Sequence, residues 1–489
     1  MNIILALIAV LLASAPFIYL AGRRLGPDWA FGGSLLALAT ASGMFVASLS
    51  QDIGNFAVQD VAFMQDGISQ IMTGLVLVLG FAVMFYSRVY VQEDENQEKY
   101  AVLLLTMIGV IIGLVHAGDL FNLWLWFEAM AIASYMLVAF YHRQANALEA
   151  TLKYLVQSAA GSILILAGIA LVLLEQGTLS LVELSATNAA SNEIMLIAGG
   201  LFIIGFGVKV ALVPLHTWLP DAHSQAPSGI SAMLSGVVIE GGLIALIRAL
   251  SILAGDAVTW GTLLMTFAVL NIIVGNVLAL RQTQLKRLLA YSSVAHMGYI
   301  VLGLGIGIYS GQAAGIEGGM FHLISHGLMK GLAFLAIGAL MYTLHMAHAG
   351  QKPIELDDIS GAARRYPMLA LTLTIALLGL GGLPPMVGFM SKWQIFLSGM
   401  EAENLLITAL ILIAALNSIL SLAYYAPIIN RLYRREPAEA VQHGGKLPLA
   451  MAAPLAGLAI LIIVIGFWPG LLDDVLQSAS DALKLSFIR

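Results

Sequence analysis

The sequence contains no cysteine, and only 10% of its 489 residues are charged. The missing cysteines exclude disulfide bonds, cysteine-ligated zinc and ordinary iron–sulfur clusters from this chain. Soluble proteins carry about 25% charged residues, so the low charge content excludes an ordinary soluble domain. The net charge of -6 is small and spread over loops, so it indicates no nucleic-acid partner and no acidic partner. The glycine runs at 303–307 and 379–382 follow no predicted strand, so we expect no bound nucleotide or other cofactor.

Long apolar stretches dominate the chain, which is 60% hydrophobic. A membrane-spanning helix needs about 20 mostly apolar residues. We therefore predict an all-α polytopic membrane protein with about 14 spans. The predicted spans are residues 2–21, 29–50, 69–91, 100–117, 119–141, 151–175, 194–218, 227–253, 258–280, 287–309, 317–346, 367–398 with a break, 403–429 and 448–470.

Lysine and arginine are concentrated in alternate loops of this arrangement, and basic loops stay in the cytoplasm. The sequence therefore predicts both termini on the outer, periplasmic or extracellular, side, and we expect the membrane to be a prokaryotic cytoplasmic membrane. The basic loops contain Arg23, Arg24, Lys99, Arg143, Arg281, Lys286, Arg287, Lys352, Arg364, Arg365, Arg431, Arg434, Arg435 and Lys446. The loops between them contain neither residue type and lie at 51–68, 176–193, 254–257, 310–316 and 399–402.

Two short segments need separate interpretation. Residues 1–21 have no basic segment before them, and Arg23 and Arg24 follow them. We therefore expect a first spanning helix there rather than a cleaved signal peptide. Residues 51–68 alternate between apolar and polar side chains, which predicts a short hairpin on the outer face.

The seventh and twelfth predicted spans each combine a proline break with one lysine. Lys209 precedes Pro214 by five residues, and Lys392 follows Pro384 and Pro385. A lysine in hydrocarbon is costly unless it faces a partner or water, and a proline frees a backbone carbonyl one turn earlier. Interrupted helices of this kind build ion sites in transporters.

The two broken spans also indicate how the chain is organised. They are five spans apart and therefore opposite in orientation, which predicts two inverted five-helix repeats. The predicted parts are three N-terminal helices (1–99), a first repeat with helices 4 to 8 (100–253), a second repeat with helices 9 to 13 (258–430), and the last helix with the C-terminus (448–489).

Acidic side chains inside predicted spans are functional candidates by default. Glu128 lies in the middle of the fifth span, where it either pairs with Lys209 or packs against another basic neighbour. Glu240 lies midway along the eighth span with glycines beside it, which allow close helix approach. It is a second candidate proton carrier or ion ligand.

Basic side chains near the same spans are secondary candidates. Lys153 follows Glu149 by four residues, which favours a helical ion pair, and it is either a relay residue or a lysine that snorkels to the interface. His216 lies seven residues after Lys209, which would place both within about 20° on one helix face. His216 is therefore a candidate proton step.

Three basic residues form a stripe in the eleventh span. His322, His326 and Lys330 are spaced by four residues, so they lie on one helix face. Two histidines at this spacing can bind a metal, but no HExxH motif is present and we expect no metal site. A hydrated relay of groups that gain and lose protons fits the stripe better, and His296 in the tenth span would extend it.

These residues carry a family resemblance over essentially the whole chain. VKVALVPLHTWLPDAHSQAP (208–227) and LKRLLAYSSVAHMGY (285–299) resemble the antiporter-like, proton-translocating membrane subunits of NADH:quinone oxidoreductase, in the complex I superfamily. GDLFNLWLWFEAMAIASYML (118–137) is more similar to subunits of Mrp antiporters and membrane-bound hydrogenases. GLPPMVGFMSKW (382–393) is shared broadly.

The resemblance implies 14 helices, two half-channels and a set of site residues. It implies that Glu128 and Lys209 form the first charge pair and that the stripe His322, His326 and Lys330 leads to Lys392 at the exit. Many relatives have a lysine where this chain has Glu240, so the acid would hold a proton or stabilise Lys209 as a cation.

Three functions remain open at this point. The chain is expected to be a proton-translocating subunit of a redox-driven complex, a subunit of a Mrp-type Na⁺/H⁺ antiporter, or a structural membrane subunit. It is expected to hold no cofactor and to bind other membrane subunits, with a peripheral redox arm in the first case. Sodium is the alternative coupling ion, because carboxylates also bind hard cations.

Overall fold

The structure is a computed structural model that describes residues 2–50, 54–58, 61–186, 193–253, 257–346 and 353–487. Within these ranges, 13 helices are long and apolar enough to cross a membrane. This confirms the predicted all-α polytopic membrane fold. Lys352 and parts of four predicted loops, 51–68, 176–193, 254–257 and 347–366, lie outside the described residues.

The described elements follow one another along the chain as helices with one hairpin near the start. Up to residue 251 they are α1 (Ile3–Leu25), α2 (Pro27–Ser48), β1 (Gly54–Val58), β2 (Val61–Gln65), α3 (Gly67–Tyr90), α4 (Gln97–Val115), α5 (Leu120–Val138), α6 (Ala145–Gln176), α7 (Leu181–Ala186), α8 (Glu193–Val210), α9 (Trp218–Gln225), α10 (Ser228–Met233) and α11 (Ile239–Ser251). The later ones are α12 (Ala257–Ala279), α13 (Leu285–Ser310), α14 (Ala313–Thr343), α15 (Ala362–Arg365), α16 (Pro367–Gly381), α17 (Val387–Glu401), α18 (Leu405–Leu432), α19 (Glu439–His443), α20 (Leu449–Phe467) and α21 (Asp473–Phe487).

The spans differ from the predicted ones mainly at their ends. α1 continues to Leu25 and therefore includes Arg23 and Arg24 in its last turn. The twelfth span is divided into α16 and α17, each of 15 residues and too short to cross alone. The eighth span is also irregular, because a π-helical turn at Leu234–Val238 joins α10 to α11 immediately before Glu240. Such π-helical turns are rare and often occur at functional sites.

The predicted hairpin is confirmed, and its place on the outer face stays a prediction. β1 and β2 pair antiparallel, with Phe56 opposite Phe63 and Gly54 opposite Gln65. The next residue, Asp66, caps α3 by accepting a hydrogen bond from the Ser69 amide at 2.8 Å. A side-chain oxygen at this position satisfies an amide that the helix leaves free.

The end of the bundle next to the hairpin is held by an ion pair that the sequence did not reveal. Arg248 in α11 donates two hydrogen bonds to the Asp66 carboxylate, at 3.0 Å each, and one to the Val115 carbonyl at 2.8 Å. Burial raises the pKa of the Asp66 carboxyl, but the Arg248 guanidinium and the Ser69 hydrogen bonds outweigh it and hold that pKa below its ordinary value. The pair therefore ties α3, α4 and α11 together while Asp66 is ionised.

A further helix follows the last span, where the sequence analysis placed only a C-terminus. α21 packs against α3 and α14 and buries Leu476, Ala479 and Leu483. These three residues recur at the spacing of one helix face, opposite acidic residues such as Asp474 and Asp481. The amphipathic helix therefore covers part of α14, the long helix that carries the histidine stripe.

Helices α13 and α14 approach each other closely at glycines. A side chain at Gly303 would lie 2.8 Å from the Gly319 amide nitrogen, and one at Gly319 would lie 2.9 Å from the Leu304 amide nitrogen. Only glycine permits backbones to approach to this distance in a membrane bundle. Because His296 and His322 lie within two turns of this crossing, the glycines bring their imidazoles into contact.

Candidate ion-translocation path

The break in the seventh span is longer than the proline alone predicts. α8 ends at Val210, α9 begins at Trp218, and Ala211 takes a left-handed conformation with φ of 58°. Asn271 of α12 supports the break: its side chain accepts a hydrogen bond from the Val213 amide at 2.7 Å and donates one to the Ala211 carbonyl at 3.0 Å. These bonds satisfy backbone groups that would otherwise be unpaired in the bilayer.

Lys209, one residue before the end of α8, is enclosed by aromatic rings. Its ammonium donates to the Tyr154 hydroxyl at 2.7 Å and lies 4.6 Å from the centre of that ring. The Phe127 ring is 5.6 Å away on another side. Trp218 stacks on Tyr154 with ring centres 3.9 Å apart and donates to the Val208 carbonyl. The aromatic residues therefore stabilise a cation at the break.

The predicted charge pair of Glu128 and Lys209 stays a prediction, because the two residues interact electrostatically without a direct contact. Within the described part of the chain, no ion pair joins them, although the carboxylate is close enough for electrostatic attraction. α5 presents Phe127 to the lysine, and the next residue is rotated by about 100° around the helix. Glu128 is consequently half-buried, and its Oε1 has no hydrogen-bond partner in the described structure.

The structure contradicts the predicted position of His216 and confirms the predicted ion pair of Lys153. The argument that placed His216 on the Lys209 face is wrong, because no helix connects residues 210 and 218. His216 is buried, and its ring packs edge-on against Tyr291. The predicted ion pair of Lys153 with Glu149 is confirmed at 2.7 Å, and Lys153 also binds Asp221 at 3.0 Å. Because its side chain is 47% exposed, it lies at the surface rather than in the core.

Glu240 pairs with a histidine of the stripe. Its Oε1 lies 2.8 Å from Nδ1 of His326, and both side chains are fully buried. The other polar atom of each residue, Oε2 of Glu240 and Nε2 of His326, has no protein partner in the described structure. The pair can hold one shared proton and has two free positions at which a further proton can arrive or leave.

The remaining histidines form a second group that leads to Lys392. Nδ1 of His296 is 3.0 Å from Nε2 of His322, and Nδ1 of His322 is 2.8 Å from the Ser391 hydroxyl. The next residue, Lys392, donates to the Leu380 carbonyl at 2.9 Å and to the Ser418 hydroxyl at 3.0 Å. Its ammonium also lies 4.7 Å from the centre of the Tyr299 ring.

Lys330 joins this group through two hydroxyls. Its ammonium donates to the Leu289 carbonyl at 2.9 Å and to Ser292 at 2.5 Å. Ser292 contacts the Tyr425 hydroxyl, which is 3.4 Å from Nε2 of His296. The three residues of the predicted stripe, His322, His326 and Lys330, are therefore all buried on one face of α14, but each contacts different neighbours.

The groups from Lys330 through Ser292, Tyr425, His296 and His322 to Ser391 form a hydrogen-bonded row. One direction of donation satisfies every group in it. Lys330 donates to Ser292, which donates to Tyr425, which donates to His296. If His296 and His322 both carry their proton on Nδ1, the donation continues through His322 to Ser391, which donates to the Val387 carbonyl. Each hydroxyl and imidazole then donates once and accepts once along the row. Such an arrangement conducts a proton if each member passes one on and then reorients.

The Lys209 site is not hydrogen-bonded to this row in the described structure. No hydrogen bond or ion pair joins Lys209 to Glu240 there. The two residues are nevertheless neighbours, because a side chain at Gly242 would lie 2.8 Å from Cγ of Lys209. The stem of the lysine therefore packs against α11 two residues after the acid.

Several residues that bind the candidate site residues were missed by the sequence analysis. Tyr154, Ser292, Ser391, Ser418 and Tyr425 all bind a candidate group, and all but Ser418 are no more than 2% exposed. Hydroxyl residues are common in membrane helices, so the residue type alone does not distinguish these five. Only Ser391 and Tyr154 could have been found by position, since each is adjacent to a candidate lysine in the sequence.

The fold and site together define a class of protein. Two broken spans, each with a buried lysine, flank a row of buried imidazole, carboxylate and hydroxyl groups within a helical membrane bundle. Groups of this kind inside the bilayer mark ion pathways, especially those of protons. The chain is thus a membrane protein built around an ion path.

Comparison with known proteins establishes the family. Residues 117–418 match the model for the membrane region of NADH:quinone oxidoreductase and Mrp antiporter subunits, and residues 51–101 match the N-terminal part of chain 5 of NADH-ubiquinone oxidoreductase (complex I). The chain belongs to this antiporter-like family of the complex I superfamily, as the resemblance predicted.

Three relatives cover nearly the whole chain. F(420)H(2) dehydrogenase subunit N of Methanosarcina mazei is 33% identical over 97% of each chain. NADH-quinone oxidoreductase subunit N of Trichlorobacter lovleyi is 31% identical over 93% of this chain and 89% of the relative. A chain of the membrane-bound sulfane sulfur reductase, an archaeal respiratory membrane complex, superposes with a TM-score of 0.88 at 30% identity and covers 99% of both chains.

Proposed function

We propose that this chain is a proton-translocating, antiporter-like subunit of a multisubunit, redox-driven membrane complex. The hydrogen-bonded row from Lys330 to Ser391, beside Lys392, is the observation that carries the proposal. The names of the relatives support the redox-driven type, since two are dehydrogenase or oxidoreductase subunits and the third belongs to a respiratory complex.

Protons fit the row better than sodium ions. A hard cation such as Na⁺ prefers several oxygen ligands, whereas the central groups here are imidazole nitrogens. The acid Glu240 faces His326 through its Oε1, which leaves one carboxylate oxygen free. Protons can use both nitrogen and oxygen positions, and neutral histidine is an efficient proton carrier near neutral pH.

We propose that Lys209 controls proton delivery to Glu240. While its ammonium is held by Tyr154, it makes no hydrogen bond to the acid in the described structure. A change in a neighbouring subunit that moves Glu128 would alter the attraction on Lys209 and hence its readiness to release a proton. The proton would then pass through Glu240, His326 and the histidines to Lys392, which gates the exit.

The partners are proposed to be other membrane subunits, with a peripheral redox arm. Glu128 is half-buried and keeps a carboxylate oxygen without a protein partner in the described structure. Leu125 and Ile132 lie on the same side of its helix, α5, and are 53% and 45% exposed. We propose that a membrane subunit covers this side. We propose that the complex lies in a prokaryotic cytoplasmic membrane with both termini outside. Because the chain contains no cysteine, single cysteines introduced near each terminus would report this topology.

A Mrp-type Na⁺/H⁺ antiporter is the second candidate function. The matching family model covers both groups, and the carboxylate at position 240 offers an oxygen to a cation. In the third, purely structural, function, the charges would only hold the bundle together. The buried atoms without partners on Glu240 and His326 argue against that, because a structural pair would be expected to satisfy both.

The test is translocation by the purified complex in proteoliposomes. We expect proton movement that is linked to electron transfer, abolished by a protonophore and unchanged when Na⁺ is replaced by K⁺. Lys209→Ala should lower protons moved per electron while the complex still assembles. A wild-type translocation rate in Lys209→Ala would contradict the mechanism, and a strict Na⁺ requirement without redox subunits would favour the antiporter.

A further inference from the structure

Asn276 of α12 is a fully buried amide that the row described above does not include. Its Nδ2 donates to the Asn417 carbonyl of α18 at 3.2 Å, and its Oδ1 accepts from the Tyr424 hydroxyl at 2.8 Å. A buried amide is costly unless it is hydrogen-bonded, and both of these bonds go to the same neighbouring helix. The side chain therefore fixes α18 against α12 at two points, which are about two helical turns apart.

The first point lies beside the Lys392 site. Ser418, the residue after Asn417, accepts a hydrogen bond from the Lys392 ammonium at 3.0 Å. Tyr299, whose ring centre is 4.7 Å from the same ammonium, is close enough to interact with both Asn276 and Ser418. Asn276 therefore fixes the part of α18 that supplies a hydrogen-bond acceptor to Lys392.

The second point lies beside the longest contact of the row. Tyr425 follows Tyr424 in the sequence and packs edge-on against it, with ring centres 4.4 Å apart. The Tyr425 hydroxyl is 3.4 Å from Nε2 of His296, whereas protein hydrogen bonds to nitrogen are usually about 2.7–3.2 Å long. A small outward shift of α18 would break this contact, and the row would be interrupted there.

We propose that Asn276 is a positioning residue for proton transfer, which holds Ser418 and Tyr425 of α18 at the distances that Lys392 and His296 require. This inference rests on the proposed function of proton translocation. The amide has donors and acceptors but no proton to pass on, so Asn276 acts through the groups that it holds. An asparagine that only joined two membrane helices would affect assembly and stability, but not the protons moved per electron by the complex that assembles.

Substitutions of Asn276 and its partners test this role in the purified complex in proteoliposomes. Asn276→Leu has a similar size and loses both hydrogen bonds, so we expect about fivefold to tenfold fewer protons per electron from the displaced groups. Tyr424→Phe loses only one of the two bonds, and about a twofold loss is expected. Asn417→Ala is the matched control, because it keeps the carbonyl that Asn276 binds and removes only a side-chain contact at 3.4 Å. A wild-type ratio in Asn276→Leu, or an equal loss in Asn417→Ala, would overturn the role.

The pH dependence of a fourth variant separates hydrogen bonding from space filling. In Asn276→Asp the protonated carboxyl both donates and accepts, as the amide does, whereas the carboxylate only accepts. Compared with wild type at the same pH, Asn276→Asp should therefore approach the wild-type ratio at acidic pH, while Asn276→Leu stays low. The titratable groups around position 276 are Tyr299 and Tyr424, with Lys392 beyond Ser418, and their own effects cancel in this comparison. Equal ratios for the Asp and Leu variants down to acidic pH would also overturn the role.

The same assay separates failure of this inference from failure of the proposed function. If Lys392→Met abolishes translocation while Asn276→Leu matches wild type, the positioning role is wrong and the proposed function stands. If Lys392→Met also matches wild type, the proposed function itself is wrong.

Discussion

Lys209 and Lys392 are both buried next to a helix break, but they bind different kinds of groups. Lys209 is held by one hydrogen bond, to Tyr154, and by aromatic rings. Lys392 is held by a backbone carbonyl and a serine, and its neighbour Ser391 continues the histidine row. One lysine is thus isolated from the row, whereas the other lies at its end.

Under the proposed function, this difference would give the two lysines different roles. A lysine with a single, weakly directional set of contacts can change its contacts at low cost, so Lys209 would control proton movement. A lysine fixed by two acceptors beside a continuous hydrogen-bonded row suits conduction and release. The sequence alone suggests two equivalent halves, because both show the same combination of proline and lysine.

The largest effect is expected from Lys392→Met. Methionine has a similar length but carries no proton, so the row would lose its exit and translocation should fall by at least about tenfold. Electron transfer and assembly should remain, and proteoliposome assays report all three. Lys99→Met, at an exposed lysine, is the control and should match wild type. Normal pumping by Lys392→Met would show that the row does not end at this residue.

A smaller effect is expected from Gly242→Ala, which tests the isolated lysine. The added methyl group would lie 2.8 Å from Cγ of Lys209, so the lysine must move. A misplacement of about 1 Å can lower a rate by up to about 100-fold, and we expect a loss of about tenfold. In Gly241→Ala the nearest atoms are 3.6 Å away, so this neighbouring variant should be close to wild type. Equal activity in the two variants would argue against control at Lys209.

Removing the hydroxyl group to which each lysine donates compares Lys209 and Lys392 directly. Tyr154→Phe removes the hydrogen bond made by Lys209 but keeps the ring. Ser418→Ala leaves Lys392 bonded to the Leu380 carbonyl. A hydrogen bond to a charged group contributes about 1.5–3 kcal/mol, and we expect the larger change in proton-to-electron ratio for Tyr154→Phe. The opposite order would reverse the roles assigned to the halves.

The smallest effect on transport is expected at the ion pair of Asp66 with Arg248. Asp66→Asn breaks the bidentate pair with Arg248, which should lower stability by about 3 kcal/mol without changing protons moved per electron. Asp28→Asn breaks an exposed pair with Arg88 and should cost less than about 1 kcal/mol. Because the Asp66 pKa is lowered in the fold, its contribution is present above the ordinary value of 3.8 and lost as pH falls through the lowered value. Thermal unfolding at several pH values measures both effects.

The sequence predicted the features that depend on local composition. Hydropathy located the spans, alternation located the hairpin, and the spacing of His322, His326 and Lys330 placed them on one face of α14. The same reasoning failed where the backbone departs from a regular helix. It placed His216 beside Lys209, and it gave no sign of the π-helical turn before Glu240.

Contacts between distant parts of the chain also could not be predicted from the sequence. Asn271 supports a break about 60 residues away in the chain, and Asp66 binds Arg248 over 182 residues. Neither contact leaves a pattern in one sequence. The sequence also could not show that Phe127, rather than Glu128, is the α5 side chain next to Lys209. The four-part division of the chain stays a prediction.

The central claim is that protons move through Glu240 and the histidine row, and Glu240→Gln tests it most directly. Glutamine keeps the size and a hydrogen bond to His326 but cannot carry a proton. Ser235→Ala, which removes a buried neutral contact with Ser293 just over one turn earlier, is the control. In proteoliposomes the account predicts that Glu240→Gln keeps electron transfer and loses most of its protons per electron, while Ser235→Ala keeps both. A wild-type proton-to-electron ratio in Glu240→Gln would contradict the account.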